Sequence, residues 1–91
     1  MDINQAFGIA LRELRESRGL TQEKLSGTVT RPYISVLERG LKSPTLSLIE
    51  KLAHEMDTHP VILLLSAYTK LEGDELESLK KLIQNYVKGM K

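Results

Sequence analysis

Cysteine is absent, and histidine occurs only twice, at His54 and His59. Without thiols there is neither a disulfide framework nor a thiolate metal site. The two histidines are five residues apart, which misses the i, i+4 spacing of a helical ligand pair, so no metal ligands are expected. The N-terminus, Met1-Asp2-Ile3-Asn4-Gln5, has no basic segment ahead of an apolar run and is not read as a secretory signal. The longest unbroken apolar run, Val61 to Leu65, is far too short to cross a bilayer. A cytoplasmic protein without membrane contact is expected. None of the serines stands in a Gly-x-Ser-x-Gly setting, and no glycine-rich phosphate loop exists. The sequence therefore offers no catalytic residue, no cofactor site and no support for an enzyme.

A large excess of one charge is missing too. The formal net charge is only +1. The charges are unevenly spread, however. Residues 1–44 carry seven Lys/Arg against five Asp/Glu, and residues 45–91 carry six against seven. A local cation cluster is enough to bind nucleic acid, because affinity comes from the few phosphates actually touched.

What is present is helical periodicity over nearly the whole chain. No strand alternation, internal repeat or low-complexity segment interrupts it. At 91 residues and 41% hydrophobic content the chain allows one small core. Ile3, Phe7, Leu11 and Leu14 recur at three and four residues, predicting a first helix over about Asn4–Ser17 with Gly19 as its left-handed cap. Thr21 is placed to cap a second helix with Leu25 turned inward, and Ser26-Gly27-Thr28-Val29 is the turn. Thr30 caps a third helix with Pro32 in its first turn, Ile34 and Leu37 facing the core, and Gly40 closing it.

A fourth helix is expected over about Thr45–Met56, with Leu46, Ile49, Leu52, Ala53 and Met56 inside. A fifth, about Pro60–Lys70, is apolar nearly all round; such a helix is either central or covered by a partner, and in a domain this small a partner is expected. Glu72-Gly73 separates a sixth. There Asp74 and Glu77 have the spacing of a capping box, and Leu76, Leu79, Ile83, Tyr86 and Met90 form a stripe.

Two short helices joined by a tight turn, the second opening on exposed Arg, Tyr and Ser with apolar residues behind them, are the pattern of a helix-turn-helix whose second helix enters the DNA major groove. On that reading Arg31 offers a bidentate pair to a guanine, or alternatively a phosphate contact. Thr30 opens the same turn, and Pro32 suits a thymine methyl. Tyr33 and Ser35 reach phosphate or a base edge, unless Tyr33 packs against the second helix. Arg39, Lys42 and Ser43 lie along the flanking backbone, or are merely solvated.

Leu11-Arg12-Glu13-Leu14-Arg15, Gly19-Leu20-Thr21-Gln22-Glu23, Tyr33 through Gly40, and Ser43-Pro44-Thr45-Leu46 through Leu52-Ala53 stand in the order and spacing of one family. From about Phe7 to Tyr68 the chain resembles the phage-repressor/Cro (XRE-like) helix-turn-helix regulators. The resemblance implies the five-helix lambda-repressor-like DNA-binding domain over residues 1–70; residues 71–91 carry the additional C-terminal helix read from periodicity, the expected dimerisation element, and the whole is expected to be all-α. The resemblance also implies a double-stranded DNA partner, a palindromic site and a homodimer. It implies a phosphate contact for Gln22, which also steadies the start of the third helix, and a structural pair between Arg15 and Glu38. A prophage repressor, a restriction–modification controller and an antitoxin all fit this pattern.

One departure stands out. Members usually have about two more residues between the second and third helices, and a Gly where Thr28 falls. The second helix is accordingly expected to be short, or the turn rebuilt with Gly27 taking the positive φ. Leu64, Tyr68, Leu76, Leu79, Ile83 and Tyr86 are the expected dimer interface. The alternative is a protein-interaction module, or an antitoxin, whose C-terminal helix binds a partner protein.

Overall fold

The computed structural model describes residues 1–27, 29–72 and 76–90, with Glu72 and Leu76 described by backbone alone. These residues form six helices: α1 (Ile3–Ser17), α2 (Gln22–Leu25), α3 (Arg31–Glu38), α4 (Leu46–Glu55), α5 (Pro60–Glu72) and α6 (Leu76–Lys88). No strand occurs among them. The fold is the five-helix arrangement with an added C-terminal helix.

Local chemistry sets most of the boundaries. α1 starts one residue ahead of the periodicity because Asp2 closes a capping box. Its carboxylate accepts from the Gln5 N–H at 2.8 Å, and the Gln5 side chain accepts from the Asp2 N–H at 2.9 Å. Gly19 and Gly40 leave their helices at φ +69° and +74°, in the left-handed region where a Cβ is costly. Thr21 and Thr45 each accept from the N–H three residues on, satisfying one otherwise orphaned donor. Thr30 takes the N-cap position of α3, but its hydroxyl makes no capping bond, contrary to expectation.

α1 packs on α3 and α5, and α4 packs on α5. Their buried faces supply one core, in which Leu11, Leu25, Ile34, Leu37, Leu52, Met56 and Leu63 are wholly enclosed. α1 and α3 approach so closely at Gly8 that a Cβ there would lie 2.5 Å from the Leu37 and Glu38 carbonyl oxygens. That contact leaves no room for a side chain and sets how near α3 lies to the body of the protein.

Three expectations are corrected. Leu46 is 80% exposed rather than internal, and Leu48 takes its place in the core at 8%. Leu46 is the first residue of α4, where the chain is only entering the body. Gly27 does not have a positive φ; a Cβ there would meet only the end of the Glu55 side chain, at 2.9 Å. α5 is central, buried through Leu63 and Ala67, although Val61, Ile62 and Tyr68 on its outer side remain exposed. α2 is a single turn, as its shortened connection requires. Thr28, the Gly73 break and the Asp74 cap lie outside the described residues, as does the Leu76 side chain.

Candidate nucleic-acid interface

α3 has two faces. Ile34 and Leu37 are fully buried, while Thr30, Arg31 and Pro32 are exposed in its opening turn. This asymmetry follows from the order of residue types: polar and proline positions come first, and apolar positions recur at i and i+3.

The far end of α3 is locked to α1 and α2. The Arg15 guanidinium donates through Nε to Glu38 Oε2 at 2.6 Å and through Nη2 to Glu38 Oε1 at 3.1 Å. Its Nη1 donates to the Leu20 carbonyl at 2.7 Å. Gln22 Nε2 donates to the same Glu38 Oε1 at 3.0 Å. Arg15 is only 8% exposed, so this is a partly desolvated fork-to-fork ion pair joining three elements. The hydrogen bond that Arg15 donates to Glu38 raises the Arg15 pKa above the ordinary arginine range, against the burial that lowers it. The Gln22 amide therefore steadies the end of α3, not its start. One N–H of its amide nitrogen is used on Glu38, and the second has no acceptor among the described residues.

Around this network lies a polar concavity lined by Arg12, Arg15, Gln22, Ser35, Glu38 and Arg39. It draws Gln22, Ser35 and Arg39 together. It also adds Arg12, which sequence reasoning had not placed; the three-residue spacing to Arg15 is the signal that puts both on one helical face. Arg39 bonds weakly through Nε to the Ser35 carbonyl at 3.4 Å, and Arg12 pairs with Glu16 at 3.3 Å. Both side chains keep donors free to face an anion.

The remaining residues fall around this centre. Arg31 pairs with Glu23 at 3.6 Å. Tyr33 is half-buried against the core, and Lys42 Nζ stands 5.7 Å from its ring centroid. That cation–π contact positions an exposed lysine beside the start of the loop after α3. Ser43 stands apart: its hydroxyl donates to Asn4 Oδ1 at 2.8 Å, on the rim of an apolar groove lined by Ile3, Phe7, Pro44, Leu64 and Tyr68. Of the residues expected in the dimer interface, Leu64 and Leu79 are half-buried. Tyr68, Ile83 and Tyr86 are exposed at 43%, 42% and 69%. Leu82, Val87 and Met90 extend the open apolar surface of α6.

Among the described residues no cluster of His, Asp and Glu could hold a metal, and no helix is long and apolar enough to cross a membrane. His54 and His59 are exposed; the His59 Nδ1 accepts from the Val61 N–H at the start of α5.

Residues 11–63 match the helix-turn-helix family model, more than half of the chain. The HTH-type transcriptional regulator DdrOP3 of Deinococcus deserti is 44% identical over 45 residues, 47% of this chain and 35% of that protein. The chain thus spans about a third of that relative's length. An uncharacterized HTH-type transcriptional regulator of Sinorhizobium fredii, y4dJ, is 34% identical over 58 residues, covering 62% of this chain and 75% of the relative. Among solved structures, the clp gene regulator ClgR from Corynebacterium glutamicum superposes with a TM-score of 0.73 at 29% identity, covering 77% of this chain and 94% of its own. The restriction-modification controller protein C.AhdI from Aeromonas hydrophila gives 0.63 at 41% identity, covering 65% and 92%.

Proposed function

The chain belongs to the helix-turn-helix family of phage-repressor/Cro type, and from this premise we propose that it is a cytoplasmic transcriptional repressor that binds a palindromic duplex operator as a homodimer. The observation that carries this reading is the two-faced α3: Arg31 and Pro32 exposed at its start, Ile34 and Leu37 buried behind them, and its end pinned by Arg15, Glu38 and Gln22. A helix fixed in this way presents its N-terminal turn to the major groove as a rigid unit.

In this reading Arg31 contacts a guanine edge, with Thr30, Pro32 and Tyr33 beside it. Gln22, Ser35, Arg39 and Lys42 contact the backbone, joined by Arg12, while the Ser43 hydroxyl is held by Asn4 away from this cluster. Residues 1–70 bind DNA, and residues 71–91 pair two copies. The exposed apolar stripe of α6 also suits a second reading, in which that helix binds another protein as an antitoxin or interaction module does. Dependence of duplex binding on the first turn of α3 separates the two, because a protein-binding module has no use for Arg31 and its neighbours.

Affinity for duplex DNA should fall steeply with salt, with a log–log slope of about −0.9 per neutralised phosphate. Arg31→Ala should cost roughly 1–3 kcal/mol on the preferred site and relax selectivity at one position per half-site. Fluorescence anisotropy on matched and mismatched duplexes measures both. A uniform loss over all sequences would make Arg31 a phosphate anchor, and salt-independent binding would remove the DNA reading.

A further inference from the structure

We propose that Glu23 is the selectivity-positioning residue of this interface: it buttresses the Arg31 guanidinium for end-on contact with a base. The inference rests on the DNA-binding reading above and adds to it a residue that does not itself bind DNA.

Glu23 lies in the single turn of α2, and Arg31 is the first residue of α3. The Glu23 carboxylate meets Arg31 Nε at 3.6 Å across the turn between them. The two side chains are 77% and 58% exposed. An ion pair this open contributes little to folding, so stability does not account for it. Its effect is on the guanidinium. An arginine side chain has five N–H donors in a rigid plane. The carboxylate lies against the Nε edge, and the two terminal nitrogens make no hydrogen bond to any described residue. These are the donors that an end-on contact to guanine N7 and O6 uses. Holding a long side chain in place beforehand also reduces the ordering cost of binding.

The sign of Glu23 matters as well. A carboxylate beside Arg31 on a surface that meets phosphates weakens binding to every sequence equally. It weakens most the arrangement in which Arg31 turns away from the base and toward the backbone. The second effect lowers the affinity for unselected DNA relative to the preferred site. Of the two roles open to Arg31, base reader or phosphate anchor, the adjoining carboxylate favours the first.

The test uses the full chain and three duplexes: a site selected from a random pool, the same site with the Arg31-dependent base pair changed, and an unselected duplex. Arg31→Ala first identifies that base pair. Glu23→Ala is then expected to bind the unselected duplex more tightly and to lower discrimination at that base pair, each by a few-fold. Glu23→Gln keeps an acceptor of the same reach without the charge and should retain part of the discrimination. Thermal melting should be unchanged in both, since the pair is exposed; a merely structural role would lower it. If Arg31→Ala relaxes one position while Glu23→Ala leaves discrimination intact, the inference fails and the DNA-binding reading stands. If Arg31→Ala relaxes no position, the base-reading role of Arg31 fails and this inference with it.

Discussion

Replacing Leu79 and Ile83 together by glutamate is expected to leave a folded monomer that binds a symmetric operator about a hundredfold more weakly, the loss that follows when two linked half-sites are engaged separately. The core from Phe7 to Tyr68 does not use these side chains, so the helical signal should persist. From Glu77 to Lys88 every described side chain of α6 except Leu79 is exposed, and Leu79 is only half-buried. Leu82, Ile83, Tyr86 and Val87 thus present an apolar surface that the described residues do not cover. In the proposed homodimer, pairing with a second copy would bury it and, with Leu64 and Tyr68 nearby in sequence on α5, would set the separation of two α3 helices. Sedimentation velocity gives the oligomeric state, and circular dichroism gives the fold. A double variant that stays dimeric, or that unfolds, would place the interface elsewhere.

The second large effect is expected at the Arg15–Glu38 pair. Glu38→Ala leaves the Arg15 guanidinium in a site 8% exposed with only the Leu20 carbonyl and the more distant Glu16 carboxylate as described partners. An uncompensated charge of this kind costs about 3 kcal/mol, and in a chain of this size that lowers the melting temperature by roughly 15 °C. Arg15→Ala should also destabilise, though Gln22 still donates to the stranded Glu38 carboxylate. The double change should cost less than the sum of the two single changes, because each removes the same interaction. Strict additivity in thermal unfolding would contradict the geometry. The raised Arg15 pKa predicts no loss of its contribution between mildly acidic and mildly alkaline buffer: that contribution is complete below the ordinary arginine range and is lost only as pH rises beyond it.

Features set by chemistry between near neighbours were legible from the residues alone. Gly19 and Gly40 stand where helices must stop, and Thr21 stands where a backbone donor needs an acceptor. The periodicity of α1 and α3 located Leu11, Ile34 and Leu37 in the core. Features that depend on distant parts of the chain were not legible. Gly27 was expected to relieve a backbone angle, but what a Cβ there would meet is the end of the Glu55 side chain, from the end of α4. Leu46 has the correct helical phase yet lies a turn ahead of any element that covers it. The Arg15–Glu38 pairing followed from family resemblance, since a separation of 23 residues says nothing by itself. Glu23 drew no attention as a surface acid. Its meaning comes only from the turn that brings it beside Arg31.

The central claim is that the opening turn of α3 reads duplex DNA in a two-fold arrangement. Selection of bound sequences from a random duplex pool tests it most directly. The expected result is enrichment of an inverted repeat whose half-site centres lie about one helical turn apart, roughly 34 Å, or a multiple of it. Recovery of no sequence preference, or of a single half-site with no symmetric partner, would contradict it.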